Sequence, residues 1–322
     1  MSKHCNSSDT CNVKEGFVTV PERIVENPSQ TIPTGQIFYK MTSPKKQHKD
    51  TYTLFFIHGF GNNHETWACQ QAKLCKCFTT VAVDWRSVGQ SSQTRGIIYD
   101  LDVFVDDFHF VINQLGLKNV VLVGQSIGGT MAMRYVVKYP GEIKKLITLG
   151  SFPVAVSSTE CSPDCPKFPL PPIPDFAFPG FVDLIASDFL AFRTFFIGNA
   201  FTEECQDQLV NAKNQAITEG FAPQDIILNS YVVNDGWVLE DISDLIGNIN
   251  IPTLVTYGGI DQVVPINNSF FLRENIPNSV LFEFPNKGHF PNVTDYKKFN
   301  CVVQRFVLKD GISSCNLCPL IN

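Results

Sequence analysis

The stretch Asn119-Val-Val-Leu-Val-Gly124-Gln125-Ser126-Ile127-Gly128-Gly129, continued by Thr130 to Lys138, decides the fold. Four apolar and mostly β-branched residues run into Gly-x-Ser-x-Gly, and a segment of helical spacing follows. Short apolar runs of this kind form strands buried on both faces of a sheet. The pattern therefore predicts a strand, a sharp reversal and a helix, with Ser126 at the apex. Strand and helix pass closer there than a Cβ allows, so the positions two residues to either side must be glycine. Gly124 and Gly128 fill them. A serine so placed projects its hydroxyl above the sheet, beside a helix N-terminus whose partial positive charge stabilises a developing anion. On the string alone an ordinary glycine-rich turn competes, and the rest of the chain removes that competition.

Outward from this strand, apolar runs recur at Thr53 to Ile57, Thr79 to Val83, Leu146 to Leu149, Thr253 to Tyr257 and Val280 to Phe284. Between them lie helical stripes such as Leu101, Phe104, Val105, Phe108, Ile112 and Leu115, which Gly116 ends. This alternation predicts an α/β fold with a mostly parallel central sheet flanked by helices. Phe17 to Val20 and Gln36 to Met41 read as edge strands leading into the sheet. Between Gly150 and about Asp235 the alternation stops. Pro163, Pro166, Pro169, Pro171, Pro172, Pro174 and Pro179 exclude a regular helix or central strand there, and helix-like segments follow at Phe181 to Ile197, Thr202 to Thr218 and Pro223 to Val233. The expected organisation is a flexible N-terminal tail over 1–16, one core in two pieces over 17–150 and 236–310, a Pro/Phe-rich helical cap over 151–235 inserted after the sixth strand, and a cysteine-containing tail over 311–322. At 322 residues the chain has ample material for such a core.

A serine hydroxyl is a poor nucleophile unless a base takes its proton and a carboxylate orients the base. Six histidines are available. His4 lies in the tail, His48 in a basic loop, His64 at a helix start and His109 within the helical stripe. His289 stands in a loop, Pro285-Asn-Lys-Gly288-His289-Phe290-Pro291, between a strand and the final helical stretch, and is the expected base. The strand Thr253 to Tyr257 ends in Gly258-Gly259-Ile260-Asp261, which makes Asp261 the expected orienting acid. The sixth strand ends Leu149-Gly150-Ser151-Phe152-Pro153 and offers no competing carboxylate. Stabilising a tetrahedral oxyanion needs two backbone N–H groups, one from Ile127 after the nucleophile and one from the loop His58-Gly59-Phe60-Gly61, where Phe60 is the expected donor. His58, Gly59, Gly124 and Gly128 support these loops, with His58 bracing its loop rather than acting as base.

Composition narrows the partners. Twenty-five Lys and Arg against 31 Asp and Glu give a net charge of −6 with no dense basic cluster, which speaks against nucleic acid. No run is apolar enough for a transmembrane span. The polar N-terminus has no apolar signal region, so a cytoplasmic location with reduced thiols is expected for the 11 cysteines. Cys315-Asn-Leu-Cys318 has metal or redox spacing, with Cys161 and Cys165 the second well-spaced pair. Buried thiols or a disulfide are preferred over zinc, so no metal is expected. Nine of the 27 phenylalanines fall between Phe168 and Phe201, which serves either a small cap core or an apolar pocket. Phe60, Trp67, Phe181, Phe189, Phe192 and Phe196 are the candidate pocket residues. Of three glycosylation sequons, Asn292-Val-Thr lies close to His289 and all are taken as chance matches.

Ser126, Asp261 and His289 with His58-Gly59 resemble the α/β-hydrolase superfamily, in its cap-bearing serine esterase and lipase-like branch. Asp84-Trp85-Arg86-Ser87-Val88-Gly89-Gln90-Ser91 is similar to the Asp-x-Arg-Gly-x-Gly-x-Ser loop of that superfamily, with Ser87 in place of glycine. The resemblance spans about residues 50 to 310. Epoxide hydrolases and haloalkane dehalogenases share the fold but carry Asp at the nucleophile, which Ser126 excludes. The resemblance implies an α/β-hydrolase fold and a cofactor-independent cycle on a hydrophobic small-molecule ester, with Ser126 as nucleophile. Carbon–carbon bond hydrolysis, acyl transfer, perhydrolysis and a receptor-like fold with slow turnover remain open on the same residues.

Overall fold

The computed structural model describes residues 11–26, 29–46, 51–95, 97, 99–153, 183–201, 214, 217, 223–224 and 240–308. Its centre is an eight-stranded sheet built from β1 (Cys11–Val20), β4 (Gly35–Pro44), β5 (Thr53–Ile57), β6 (Thr79–Val83), β7 (Val120–Gln125), β8 (Ile143–Leu149), β9 (Thr253–Gly258) and β10 (Ser279–Phe284). The order across the sheet is β1-β4-β6-β5-β7-β8-β9-β10. β4 runs antiparallel to β1 and to β6, and every pair from β6 to β10 is parallel. A separate hairpin joins β2 (Arg23–Glu26) to β3 (Ser29–Ile32). The α/β sheet read from the alternation is thus present, and all six apolar runs are strands.

The sheet is buried on both faces, as its apolar runs require. Along β5, Phe55 and Ile57 join the core under α2 (Leu101–Gln114) and α3 (Ile127–Lys138), while Leu54 and Phe56 join the opposite core. That second core lies under α1 (Ala68–Leu74) and the last helix, which with α4 (Phe189–Ala200), α5 (Asn267–Asn275) and the short α6 (Pro291–Thr294) before it is α7 (Tyr296–Leu308). Each fully buried phenylalanine contributes about 1.5–3 kcal/mol. Asp100 caps α2 by accepting from the Val103 N–H at 2.8 Å, and Gly116, at φ +62, follows its end.

Three expectations change. Residues 11–16, assigned to a flexible tail, are the first part of β1. That strand pairs with β4 over ten residues and is tied at Cys11 to Cys75 by a disulfide. The expected helix Phe181 to Ile197 is broken at Asp188, whose carboxylate accepts from the Ala191 N–H at 2.9 Å and so starts α4 after a short helical run over 183–187. The reduced thiols are overturned as well: Cys69, Cys77 and Cys301 are disulfide-bonded in addition to Cys11 and Cys75, so among the described residues every cysteine is oxidised. Most of the expected cap, Cys161, Cys165 and the tail over 311–322 lie outside the described residues.

Candidate active site

Ser126 closes β7 and precedes α3 with φ +56 and ψ −130, a conformation that costs a non-glycine residue about 1–3 kcal/mol. Packing holds it there. A Cβ on Gly124 would strike the Gly128 carbonyl and the Gly129 Cα, and one on Gly128 would strike the carbonyls of His58 and Ile57. The Ser126 N–H donates to the Leu149 carbonyl at 2.8 Å, which ties the apex to the neighbouring strand.

Asp261 sits in the loop after β9, and its two oxygens divide the work. Oδ1 accepts from the Val263 and Val264 N–H groups at 2.8 and 3.0 Å, which fixes the carboxylate. Oδ2 faces His289 Nδ1 at 2.7 Å. Both side chains are almost wholly enclosed, at 1% and 2% exposure, so water competes little with this bond. Above the pair lies Gly150, where a Cβ would come 3.1 Å from both Asp261 Oδ2 and His289 Nδ1. The His289 N–H donates to the Ala200 carbonyl at the end of α4 at 3.2 Å. No hydrogen bond joins Ser126 Oγ to the imidazole among the described residues. Such contacts are commonly long in a free enzyme and close around substrate.

The loop after β5 is strapped to the loop after β6. His58 is wholly buried, its ring stacks on Trp85 at 4.4 Å, Nδ1 lies 2.9 Å from the Gly59 carbonyl and Nε2 accepts from the Trp85 N–H at 3.4 Å. Burial pushes its pKa down to about 4 despite the nearby Asp84, so it is a neutral brace at ordinary pH. At the far end of the strap Asp84 Oδ1 accepts from both the backbone N–H and the Nδ1 of His64, at 2.7 and 2.8 Å. Glu65 Oε1 lies 3.2 Å from His64 Nε2. Burial opposes charge on His64, but the hydrogen bonds to Asp84 and Glu65 outweigh it and raise the pKa to about 9. Asp84 Oδ2 also accepts from Gln90 at 2.8 Å, and Ser91 Oγ donates to the Asp84 carbonyl at 2.7 Å. The Asp84 to Ser91 loop thus positions the strap.

A family profile for the alpha/beta hydrolase fold matches residues 52–296. The chain belongs to the alpha/beta hydrolase fold family. This alpha/beta hydrolase is 28% identical over 264 residues to the AB hydrolase superfamily protein YisY of Bacillus subtilis, covering 79% of this chain and 90% of that one. It is 27% identical over 283 residues to the bifunctional esterase/perhydrolase DCH of Acinetobacter calcoaceticus, covering 84% and 95%. The crystal structure of a bromoperoxidase from Bacillus anthracis superposes with a TM-score of 0.73 at 25% identity, covering 92% and 100%. The chain is accordingly an enzyme of the hydrolase class.

Within this hydrolase fold the candidate residues fall into two groups. Phe60 meets Phe196 of α4 edge-on at 5.4 Å, Phe196 lies 6.0 Å from Phe192, and Phe192 lies 6.2 Å from Phe189. The C-terminal half of α4 therefore meets the strap at Phe196 and the His289 loop at Ala200. Phe192 is wholly buried in the core beneath, while Phe189 and Phe196 are partly buried. Trp67 does not belong with them. It stacks on Phe56 at 4.8 Å and sits 6.2 Å from Phe299 in the core on the other side of the sheet, because alternation along β5 carries Phe56 away from the site. Phe181 lies outside the described residues. Sequence reading passed over His64, although its partner Asp84 opens the loop motif already singled out and was the available signal. His109 is stacked on Tyr139 at 3.9 Å and lies 3.1 Å from Glu142, far from the strap.

Proposed function

We propose that this hydrolase cleaves an ester, or a related acyl bond, of a hydrophobic small-molecule or lipid-like substrate through Ser126, His289 and Asp261. The observation that carries the reading is the enclosed 2.7 Å contact between Asp261 and His289, next to a serine held at positive φ on a glycine-flanked turn. The esterase named among the relatives supports it. In the proposed cycle Asp261 keeps the proton of His289 on Nδ1, which leaves Nε2 as the base. Ser126 Oγ attacks the acyl carbonyl carbon as its proton passes to Nε2, and the oxyanion accepts hydrogen bonds from the N–H groups of Phe60 and Ile127. Collapse expels the alcohol, which takes the proton back from Nε2. Water then repeats the sequence on the acyl-enzyme and frees the acid. Phe60, Phe189 and Phe196 offer the apolar wall for the acyl chain, with Phe192 packed behind them.

A fluorophosphonate probe is expected to label the native chain and not Ser126→Ala, and nitrophenyl ester hydrolysis is expected to vanish with the label. Equal labelling of Ser126→Ala would sink the assignment. A second reading draws on the perhydrolase and bromoperoxidase relatives. Hydrogen peroxide would replace water at the acyl-enzyme and release a peracid, and peracid formation from a carboxylate donor and hydrogen peroxide measures that branch.

The disulfides bear on where the chain folds. Such bonds persist in oxidising compartments and are rare in the cytoplasm. They favour an oxidising compartment over the cytoplasmic location expected from the N-terminal residues.

A further inference from the structure

Gln125, between Gly124 and the nucleophile, is wholly buried. Its Nε2 donates to the backbone carbonyl of His289 at 3.4 Å. Its Oε1 lies against Gly59, where an added Cβ would collide with it and would approach the Ser126 Cβ at 3.0 Å. That oxygen is buried without a hydrogen-bond partner. Enclosing a carboxamide with part of its bonding capacity unmet costs free energy, and an apolar side chain of similar volume would avoid that cost. Packing alone therefore does not explain a glutamine here, whereas its contacts do. From the residue next to Ser126, one side chain reaches both the strap that carries Phe60 and the loop that carries His289.

We propose that Gln125 is a positioning residue that sets the His289 backbone relative to Ser126 and the oxyanion strap. The inference rests on the catalytic reading of Ser126 and His289. The Asp261 contact orients the imidazole about its own bonds, but the position of the ring follows the loop backbone. That backbone is held on one side by the His289 N–H on the Ala200 carbonyl and on the other by Gln125 on the His289 carbonyl. Releasing the second tether leaves the His289 peptide held at its N–H alone, with the next backbone anchor at Lys287, whose carbonyl accepts from the Ile260 N–H at 3.0 Å, and the base drifts from the serine hydroxyl. A displacement of a reacting group by about 1 Å can cost about 100-fold in rate.

Two variants test this. Gln125→Met and Gln125→Leu both keep the volume closely and remove donor and acceptor, the first with an unbranched side chain and the second with a branched one. Both are expected to lower kcat on a nitrophenyl ester, and the rate of fluorophosphonate labelling, by about 10- to 100-fold. KM should stay within about twofold, the mark of an interaction felt in the reaction rather than in ground-state binding. The Tm of the Met variant should stay close to that of the native chain, since removing the unmet Oε1 offsets the bond lost at the His289 carbonyl. Native kcat and labelling rate in either variant overturn the proposal, as does a loss of Tm in Gln125→Met with KM rising in step. The Ser126→Ala control separates the two failures: persistent labelling there overturns the triad, whereas its abolition with native rates in the Gln125 variants overturns the positioning role alone.

Discussion

At the scale of single residues, two departures from simple rules are held by specific partners. Ser87 adopts φ +70 where the related loop has glycine, at a cost of about 1–2 kcal/mol. Its hydroxyl repays part of this through contacts of 2.6 Å with the Tyr99 hydroxyl and 2.9 Å with the Thr94 N–H. Ser87→Ala keeps the strain and loses both bonds, while Ser87→Gly loses the bonds and relieves the strain. Chemical denaturation should find the alanine variant less stable than the glycine variant by about 1 kcal/mol; the reverse order would show that strain is absent. His64 supplies the second case. Its pKa stands near 9 in the folded chain against 6.5 for an ordinary histidine, so its clamp contributes fully below about pH 6.5, weakens above it and is lost as pH rises through 9. Glu65, drawn down to about 2 chiefly by its hydrogen bond to His64, gives the opposite limb: its contribution is full above about 4.5 and is lost as pH falls through 2. The stability of the native chain should therefore decline by up to about 3 kcal/mol between pH 6.5 and 9 beyond that of His64→Gln. Parallel pH profiles of the two proteins would refute the clamp.

At the scale of elements, the long edge strand β1 depends on covalent support. It is ten residues long, pairs on one side with β4, and is anchored at Cys11 to Cys75 just after α1. The bond spans 64 residues of sequence, and closing a loop of that length restricts the unfolded chain by about 4 kcal/mol at most. Cys11→Ser with Cys75→Ser should lower stability by about 2–4 kcal/mol in denaturant titration, with the largest gain of amide exchange in residues 11–16. Exchange spread evenly over the sheet would show that β1 does not rely on the bond. The strand cores were legible because apolar runs signal burial on both faces. The extent of β1 was not, since Asn12-Val13-Lys14-Glu15 mixes polar and apolar residues as an exposed edge strand does. The break at Asp188 was hidden for a different reason: the apolar residues continue through it, and only the capping bond reveals a second helix start.

At the scale of the whole molecule, the sheet order brings residues 126, 261 and 289 to the ends of three strands, β7, β9 and β10, with β8 between the first two. Parallel strands all end on one edge, so loops far apart in the chain gather there. Local setting named Ser126, Asp261 and His289 as candidates, because each stands in the loop or turn after an apolar run and few histidines compete. What sequence could not supply was the company these residues keep. Trp67 read as a pocket residue until the alternation of β5 put its neighbour Phe56 on the other face. For His64 the one signal was the Asp84 that opens the loop motif, 20 residues away, and Gln125 carried none, since the carbonyl it reaches lies 164 residues away. The same holds for the cysteines, whose pairing depends on which Cα atoms the fold brings within reach. By itself, then, the amino-acid sequence determined the α/β architecture, the turn at Ser126 and the candidate acid and base, because periodicity and glycine placement are local properties. Tertiary structure alone decided the oxidised state of the described cysteines, the face on which each aromatic lies and the tethers around His289, because those arise from contacts between segments that only folding makes neighbours.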